Sequence, residues 1–236
     1  GQRAEAGCAA GGGVDEFGVV ESIQTISSET EAQTWLVVRR VIDGNSVRYI
    51  EYFSSWEDGE AVENGVFADS ALRYSGPAVT SVSGLDHLEG ERIGVLADGI
   101  DLGDIAVSGG TLVLPGSMTA FTITAGLRYS SSGETLRLPQ AGNQDGTALG
   151  RRKTISSVAL DVLETASLRA GTESRLEGVT ARAMTTNLDS AQPLSTGIFA
   201  VASQDSWRNG GACLFETNAM YPATIRAVLL GVEGEP

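Results

Sequence analysis

The chain has 236 residues, of which 42% are hydrophobic and 19% charged, with 30 glycines and a formal charge of −14. This length and balance exclude a disordered polymer, and glycine without a Gly-X-Y period excludes collagen. The excess of acids argues against a nucleic-acid-binding surface, because affinity for DNA depends mainly on neutralising phosphates. No apolar run reaches the ~18 residues of a membrane-spanning helix, so we expect no membrane insertion by this chain.

Residues 1–30 are predicted to be a flexible lead-in. The opening stretch GQRAEAGCAAGGG contains glycine and alanine without periodicity, so it offers little burial to offset ordering entropy. It also lacks the apolar core of a signal peptide. Cys8 lies here, far from Cys213, and we expect neither a disulfide nor a cysteine metal site. Because no initiator Met is present, we expect a processed product or the C-terminal fragment of a longer protein.

The stretch TWLVVRRVIDGNSVRYIEYF (34–53) predicts a β-hairpin. Two β-rich runs flank Asp43-Gly44, a dipeptide that supplies the positive φ values of a type I′ turn. Tyr49 and Ile50 fall on opposite faces of the second strand. We therefore expect partial cover on both faces of this hairpin.

An acidic connection (54–76) ends in a short predicted strand near 72–74. Short β-like runs then recur about every ten residues, the spacing of an antiparallel barrel or sandwich. These runs are 78–83, 92–97, 105–107, 111–114 and 119–124. Gly109-Gly110 in VSGGTLVL predicts a further hairpin turn.

Residues 151–171 predict two more strands, 172–218 have a polar and irregular pattern, and YPATIRAVLLGVEG predicts a closing strand. No segment shows a sustained 3.6-residue period of helical length, so the predicted class is all-β. We predict an antiparallel β-sandwich built from 31–76 and 131–236. Residues 77–130 are expected to be inserted in it as a small β-barrel.

The only histidine, His87, lies between acidic residues in SVSGLDHLEGERIGVLADG (81–99). His-x-Glu is half of the zinc deaminase signature, but the Pro-Cys-x-x-Cys half is absent, and one histidine with two distant cysteines makes no zinc site. No serine elbow marks a nucleophile. We predict a strand-to-strand turn pinned to the core by Leu85 and Leu88. We expect no catalytic residue, metal or cofactor, and a protein that is not an enzyme.

Three aspartates, Asp98, Asp101 and Asp104, are spaced three residues apart in ADGIDLGDI. Oxygen-rich loops of this kind hold calcium, but the spacing fits neither an EF-hand nor a repeated β-roll loop. Aspartate commonly caps turns through backbone hydrogen bonds. The pattern therefore favours solvated turn residues over a calcium site.

The only basic cluster is GRRKT, which contains Arg151, Arg152 and Lys153. It is too small for a nucleic-acid site on a chain of charge −14. We predict it as a subunit-contact site for an acidic patch on a neighbouring copy; an exposed start of a strand is the plainer interpretation.

An alternative hypothesis is a carbohydrate-binding host-adhesion β-module, in which an exposed tryptophan stacks on sugar rings. Trp207 in SQDSWRNGG is the best candidate, ahead of Trp35 and Trp56, because polar residues and glycines surround it.

Several stretches, taken in order, resemble the C-terminal region of the tail nozzle proteins of short-tailed bacteriophages, also called tail tubular protein B. They are WLVVRRVIDGNSVRYIEYF, VFADSALRYSGPAVTSVSGLDHLEGERIGVLADG, VSGGTLVLP, GTALGRRKTISSVAL and YPATIRAVLLGVE. The similarity runs from about residue 33 to 232, with 172–218 matching poorly, and GLDHLEG (84–90) is its most specific part. Family members are normally much longer, with an upstream propeller-like region that is missing here. A shortened architecture, or a role as a tail hub or distal tail protein, is therefore open.

The resemblance implies a structural subunit of the virion tail, in a ring of identical copies, usually six, through which DNA leaves the particle. Neighbouring tail proteins are its other partners. Six copies would carry six times −14, or −84, and an acidic lumen repels phosphates, so DNA slides without sticking. Closed rings use heterologous contacts, which also cover exposed strand edges. Simple solubility is the competing explanation of the charge.

Overall fold

The computed structural model is β-rich throughout the part of the chain that it describes. The described ranges are 18–27, 32–54, 61–136, 153–172, 175–179, 190–201 and 212–234. They form strands with three short 3-10 turns, and every strand pair is antiparallel, which confirms the all-β class. The chain divides into two compact units, Gly1–Arg128 and Tyr129–Pro236.

The described residues of the first unit form three sheets, with the strand orders β1-β2-β3, β4-β9-β6-β7 and β5-β8. Its strands are β1 (Val19–Ser27), β2 (Ala32–Ile42), β3 (Asn45–Tyr52), β4 (Asp69–Val79), β5 (Ser81–Ser83), β6 (Arg92–Ala97), β7 (Ile100–Ala106), β8 (Thr111–Val113) and β9 (Ala120–Leu127).

The predicted hairpin is present as β2 and β3. Asp43 and Gly44 have φ values of 47° and 74°, as the turn requires. The inner face of β2 is buried, whereas Ile50 on the outer face of β3 is 74% exposed. The prediction of partial cover on both faces is therefore wrong for β3. Alternation assigns residues to two faces, but it does not say which of the two the rest of the chain covers.

Strand β1 lies within residues 1–30, which were predicted to be a flexible lead-in. That prediction is therefore wrong for residues 19–27. The strand pairs with β2 along its length, from Val19 opposite Arg39 to Ser27 opposite Ala32. The glycine-rich opening gives way here to VVESIQTIS, in which Val, Ile and Thr favour extended backbone. Residues 1–17 lie outside the described residues.

One hydrophobic core serves the first unit. Ile42 of β2 belongs to this core. Strand β6 contributes most of its own length, because every residue of RIGVLA after the first is buried. Both the four-stranded and the two-stranded sheet contribute to it. The buried members are Ile42, Val82, Leu85, Leu88, Ile93, Val95, Ala97, Val107, Leu112, Leu114, Ala120, Ile123 and Ala125.

In the second unit, the part of the chain that the structure describes forms two sheets, with the strand orders β10-β15-β12-β13 and β14-β11-β16. Its strands are β10 (Ser131–Glu134), β11 (Lys153–Thr165), β12 (Arg169–Thr172), β13 (Arg175–Gly178), β14 (Ser195–Val201), β15 (Leu214–Thr217) and β16 (Thr224–Gly234).

The two strands predicted within 151–171 and the closing strand are confirmed as β11, β12 and β16. The prediction of an irregular 172–218 is wrong where β13, β14 and β15 form. These strands have only four to seven residues, too few for alternation to stand out against polar neighbours. Both sheets of the unit contribute to one core, which includes Leu160 and Ala170. A shared sandwich of 31–76 and 131–236 stays a prediction.

Candidate functional site

His87 lies in a short 3-10 turn between β5 and β6, as predicted. Leu85 and Leu88 are fully buried on either side of it, so they pin the turn to the first unit's core. The imidazole Nε2 donates to the Ser70 carbonyl oxygen at 3.0 Å. The Tyr49 ring meets the imidazole edge-on at a centroid distance of 5.7 Å, and its hydroxyl donates to the His87 carbonyl. His87 therefore connects its turn to β3 and β4.

The acidic residues near His87 bind backbone groups of other turns. The Glu89 carboxylate accepts hydrogen bonds from the amides of Gly110 and Gly109, at 2.6 and 2.9 Å, and these bonds hold its pKa below the ordinary value. Glu91 accepts from the Asp43 amide at 2.7 Å. Among the described residues, no three or more His, Cys, Asp or Glu side chains are placed to hold a metal ion. This cluster acts as an anchor between turns.

The three spaced aspartates have two structural roles. Asp98 lies in the turn between β6 and β7 and accepts from the Thr122 amide at 2.8 Å. Asp101 and Asp104 are strand residues whose carboxylates contact Arg128 at 2.6 and 2.8 Å. The prediction of turn positions is therefore wrong for Asp101 and Asp104, which lie within β7, but Asp104 is solvent-exposed as expected. The Arg128 guanidinium supplies the positive charge that a calcium ion would bring.

A buried ionic network lies on the inner face of the β1-β2-β3 sheet. Arg40 is only 6% exposed, and its guanidinium binds both carboxylate oxygens of Glu51, at 2.7 and 2.8 Å. Asp69 accepts from Arg40 at 3.4 Å, and the Ser70 hydroxyl donates to Glu51 at 2.6 Å. Sequence analysis missed this network. The sequence signal for the network was Arg40, which alternation places on the same face of β2 as the buried apolar residues. A buried arginine requires a buried partner.

The predicted contact residues cannot all be placed. Arg151, Arg152 and Trp207 lie outside the described residues, and so does the side chain of Lys153, although Lys153 begins β11. Their subunit-contact and sugar-stacking roles stay predictions. Trp35 lies in β2, half-buried, and its ring packs against another aromatic ring.

The exposed side of the first sheet is the strongest candidate for an interaction surface. We call it the outer face, and it consists of Glu21, Trp35, Val37, Arg39, Arg48, Ile50 and Tyr52. Its apolar centre is made by cross-strand neighbours: Val37 lies opposite Ile50, and Trp35 lies opposite Tyr52 with ring centroids 5.1 Å apart. Tyr52 is 54% exposed.

A charged group borders this centre. Arg39 and Arg48 lie directly opposite each other, and the Glu21 carboxylate contacts both, at 3.4 and 2.6 Å. Hydrogen bonding to Arg48 and the charges of both arginines lower the pKa of Glu21. The sequence signal for this surface was the presence of apolar residues on both faces of β3, which we had interpreted as partial cover and not as an exposed surface.

The same sheet has open edges. Within the described ranges, β1 and β3 each pair only with β2. All nine residues of β1 are exposed, and they include Val20 and Ile23. Unpaired strand edges invite further pairing unless something covers them.

Comparison with known proteins does not identify a family: no protein-family model matches the sequence, and no curated protein matches it. Among the described residues, no helix has the length and apolarity needed to cross a bilayer.

Proposed function

We propose that this protein is a structural subunit of a short-tailed bacteriophage tail, of the nozzle or tail-tube type, and forms a ring-shaped conduit for DNA ejection. The observation that carries the proposal is the open β1-β2-β3 sheet, which presents an outer face with an apolar centre and two unpaired edges within the described residues. A lone monomer leaves such a surface exposed, whereas an assembly covers it. The protein acts through assembly and catalyses no reaction.

The charge suits a conduit. Each copy carries −14, so a ring of six copies repels the phosphate backbone of DNA that passes through it. The partners are copies of the chain and neighbouring tail proteins in the virion, and DNA passes without specific binding. No cofactor is needed for this role.

The finer architecture belongs to the same proposal: a β-sandwich with residues 77–130 as a small β-barrel. In the second unit, two sheets contribute to one core, as the layers of a sandwich do. In the first unit, the four-stranded and two-stranded sheets enclose a common core that includes Val82, Leu112 and Ile123. An experimental density map of the chain would test both descriptions.

A density map of the particle that carries the chain tests the function. We expect copies of the chain in a closed ring around the central tail channel. We also expect no retardation of double-stranded DNA in a gel-shift assay at low salt, where electrostatic binding is strongest. Copies that lie off any central channel, or that are missing from the tail, would overturn the proposal.

A carbohydrate-binding adhesion module is the second candidate, supported by the neighbouring rings of Trp35 and Tyr52 on the outer face. Aromatic side chains provide large apolar surfaces for ligands such as sugar rings. Glycan-array binding that disappears in Trp35→Ala or Trp207→Ala would favour this candidate over the conduit.

A further inference from the structure

We propose that the outer face docks onto an acidic surface of a second copy of this chain, in a heterologous contact. This inference rests on the proposed function and deepens it by naming the surface that contacts the neighbouring copy. Three properties of the outer face carry it: its composition, its net charge and its position at an incomplete sheet.

The composition of the outer face is that of a protein interface. Such interfaces have an apolar and aromatic centre with a polar border, and Trp, Tyr and Arg carry much of their binding energy. Here Trp35, Val37, Ile50 and Tyr52 form the centre. Arg48 lies at the border, with its side chain 65% exposed.

The charge of the outer face distinguishes between two ways of pairing copies. Arg39, Arg48 and Glu21 give the outer face a net charge of +1. The whole chain carries −14, so the residues outside this face together carry −15. Two outer faces placed against each other would bring together four arginines and only two glutamates, and like charges repel. Contact with a different, acidic surface of the next copy is attractive, and a repeated contact of that kind closes a ring.

The neighbouring edge strand supports a partner that is another molecule. β1 exposes Val19, Val20, Ile23 and Ile26, which are apolar residues of both faces of the strand. A second copy supplies both apolar surface and acidic groups.

The first test compares the assembly of charge and size variants of the full chain by light scattering over a range of protein concentrations. We expect Ile50→Asp to weaken association at least about tenfold, the effect of losing about 1.4 kcal/mol at the centre of an interface. Ile198→Asp is the matched control, because Ile198 is also a strand isoleucine and is 67% exposed, but it lies in the second unit. Thermal unfolding checks that both variants remain folded.

A second pair of variants tests the charge. Arg48→Glu changes the outer face from +1 to −1 and should weaken association, whereas Arg48→Lys should retain it. Arg169→Glu is the control, because Arg169 also forms an exposed ion pair, with Glu216, in the second unit. Equal association of the wild type, Ile50→Asp and Arg48→Glu would overturn the docking surface and leave the tail assignment intact.

A photoreactive phenylalanine at position 50 identifies what lies on the outer face. An equal mixture of ¹⁴N- and ¹⁵N-labelled chains should give cross-linked peptides of mixed isotope, with the second peptide from outside 19–52. Cross-links from position 50 to position 50, cross-links within one chain only, or a wild type that stays monomeric would each overturn this inference. The position of the chain in the particle decides the tail assignment separately.

Discussion

Arg40 and Glu51 form a two-pronged ion pair across β2 and β3, with guanidinium Nε and Nη2 lying 2.7 and 2.8 Å from the two carboxylate oxygens. The pair lies on the buried inner face of the sheet, where Ser70 of β4 donates a further hydrogen bond to Glu51. It therefore connects the first sheet to the next strand of the chain.

Removing one partner of this pair should be far more damaging than removing an exposed arginine. We expect Arg40→Met to lower the free energy of unfolding by about 3 kcal/mol, because it leaves the Glu51 carboxylate buried without its partner. Arg48→Met, which breaks an exposed pair in the same sheet, should cost less than about 1 kcal/mol. Urea denaturation at concentrations where the wild type is monomeric measures both. The double variant Arg40→Met/Glu51→Leu should recover part of the loss, and equal costs for the two arginine variants would contradict the assignment.

The same pair predicts a loss of stability in acid. Burial raises the pKa of Glu51, but hydrogen bonds from Arg40 and Ser70 outweigh it and hold the pKa below the ordinary 4.5. Because the folded carboxyl has the lower pKa, its stabilising contribution is complete above about pH 4.5 and declines as the pH falls through the folded value. The free energy of unfolding measured between pH 7 and pH 3 should fall less steeply in Glu51→Gln. An unchanged slope would show that this carboxyl is not shifted.

Gly126 should not tolerate a methyl group. A Cβ at this position of β9 would lie 2.8 Å from the Ala71 Cα and from the Asp69 carbonyl oxygen, and these backbone atoms of β4 cannot move separately from their strand. We expect Gly126→Ala to cost about 2 kcal/mol through overpacking. Gly76→Ala in β4 is the control, since its new methyl would meet only the movable end of the Tyr74 side chain. Similar melting temperatures for the two variants would contradict the predicted clash.

Calcium should not stabilise the protein through the aspartates of β7. Arg128 already binds Asp101 and Asp104, so a bound ion would have to displace its guanidinium. We expect the melting temperature to be the same in millimolar calcium and in a chelator, whereas Arg128→Met should lower it. A calcium-dependent rise of the wild-type melting temperature that disappears in Asp101→Asn would favour a calcium site instead.

Local signals predicted the local parts of the fold. The Asp43-Gly44 dipeptide predicted the hairpin, because the positive φ values that the turn requires are a property of the turn residues themselves. The His87 turn followed from Leu85 and Leu88, whose burial needs no knowledge of distant residues. The apolar run of β6 predicted a strand at 92–97 with the observed bounds.

Long-range partners were not predictable in the same way. Arg128 follows Asp101 by 27 residues, and no periodicity connects the two before the sheet forms. The exposure of Ile50 was also missed, because alternation is equally satisfied by a covered and an uncovered apolar face. Edge strand β1 was hidden by the glycine-rich sequence before it.

The pairing of β11 with β16 has a consequence for synthesis on the ribosome. Strand β11 is the central strand of its sheet, and Lys153 lies opposite Gly234, so one of its two neighbours, β16, is complete only about eighty residues later. The strands described in the first unit have all emerged once residue 128 has emerged. The second unit lacks its edge strand β16, and the apolar side chains that β16 packs against the core, until translation reaches 234. The direction of translation therefore gives the two units different times at which folding can begin, and premature termination removes the second while sparing the strands of the first.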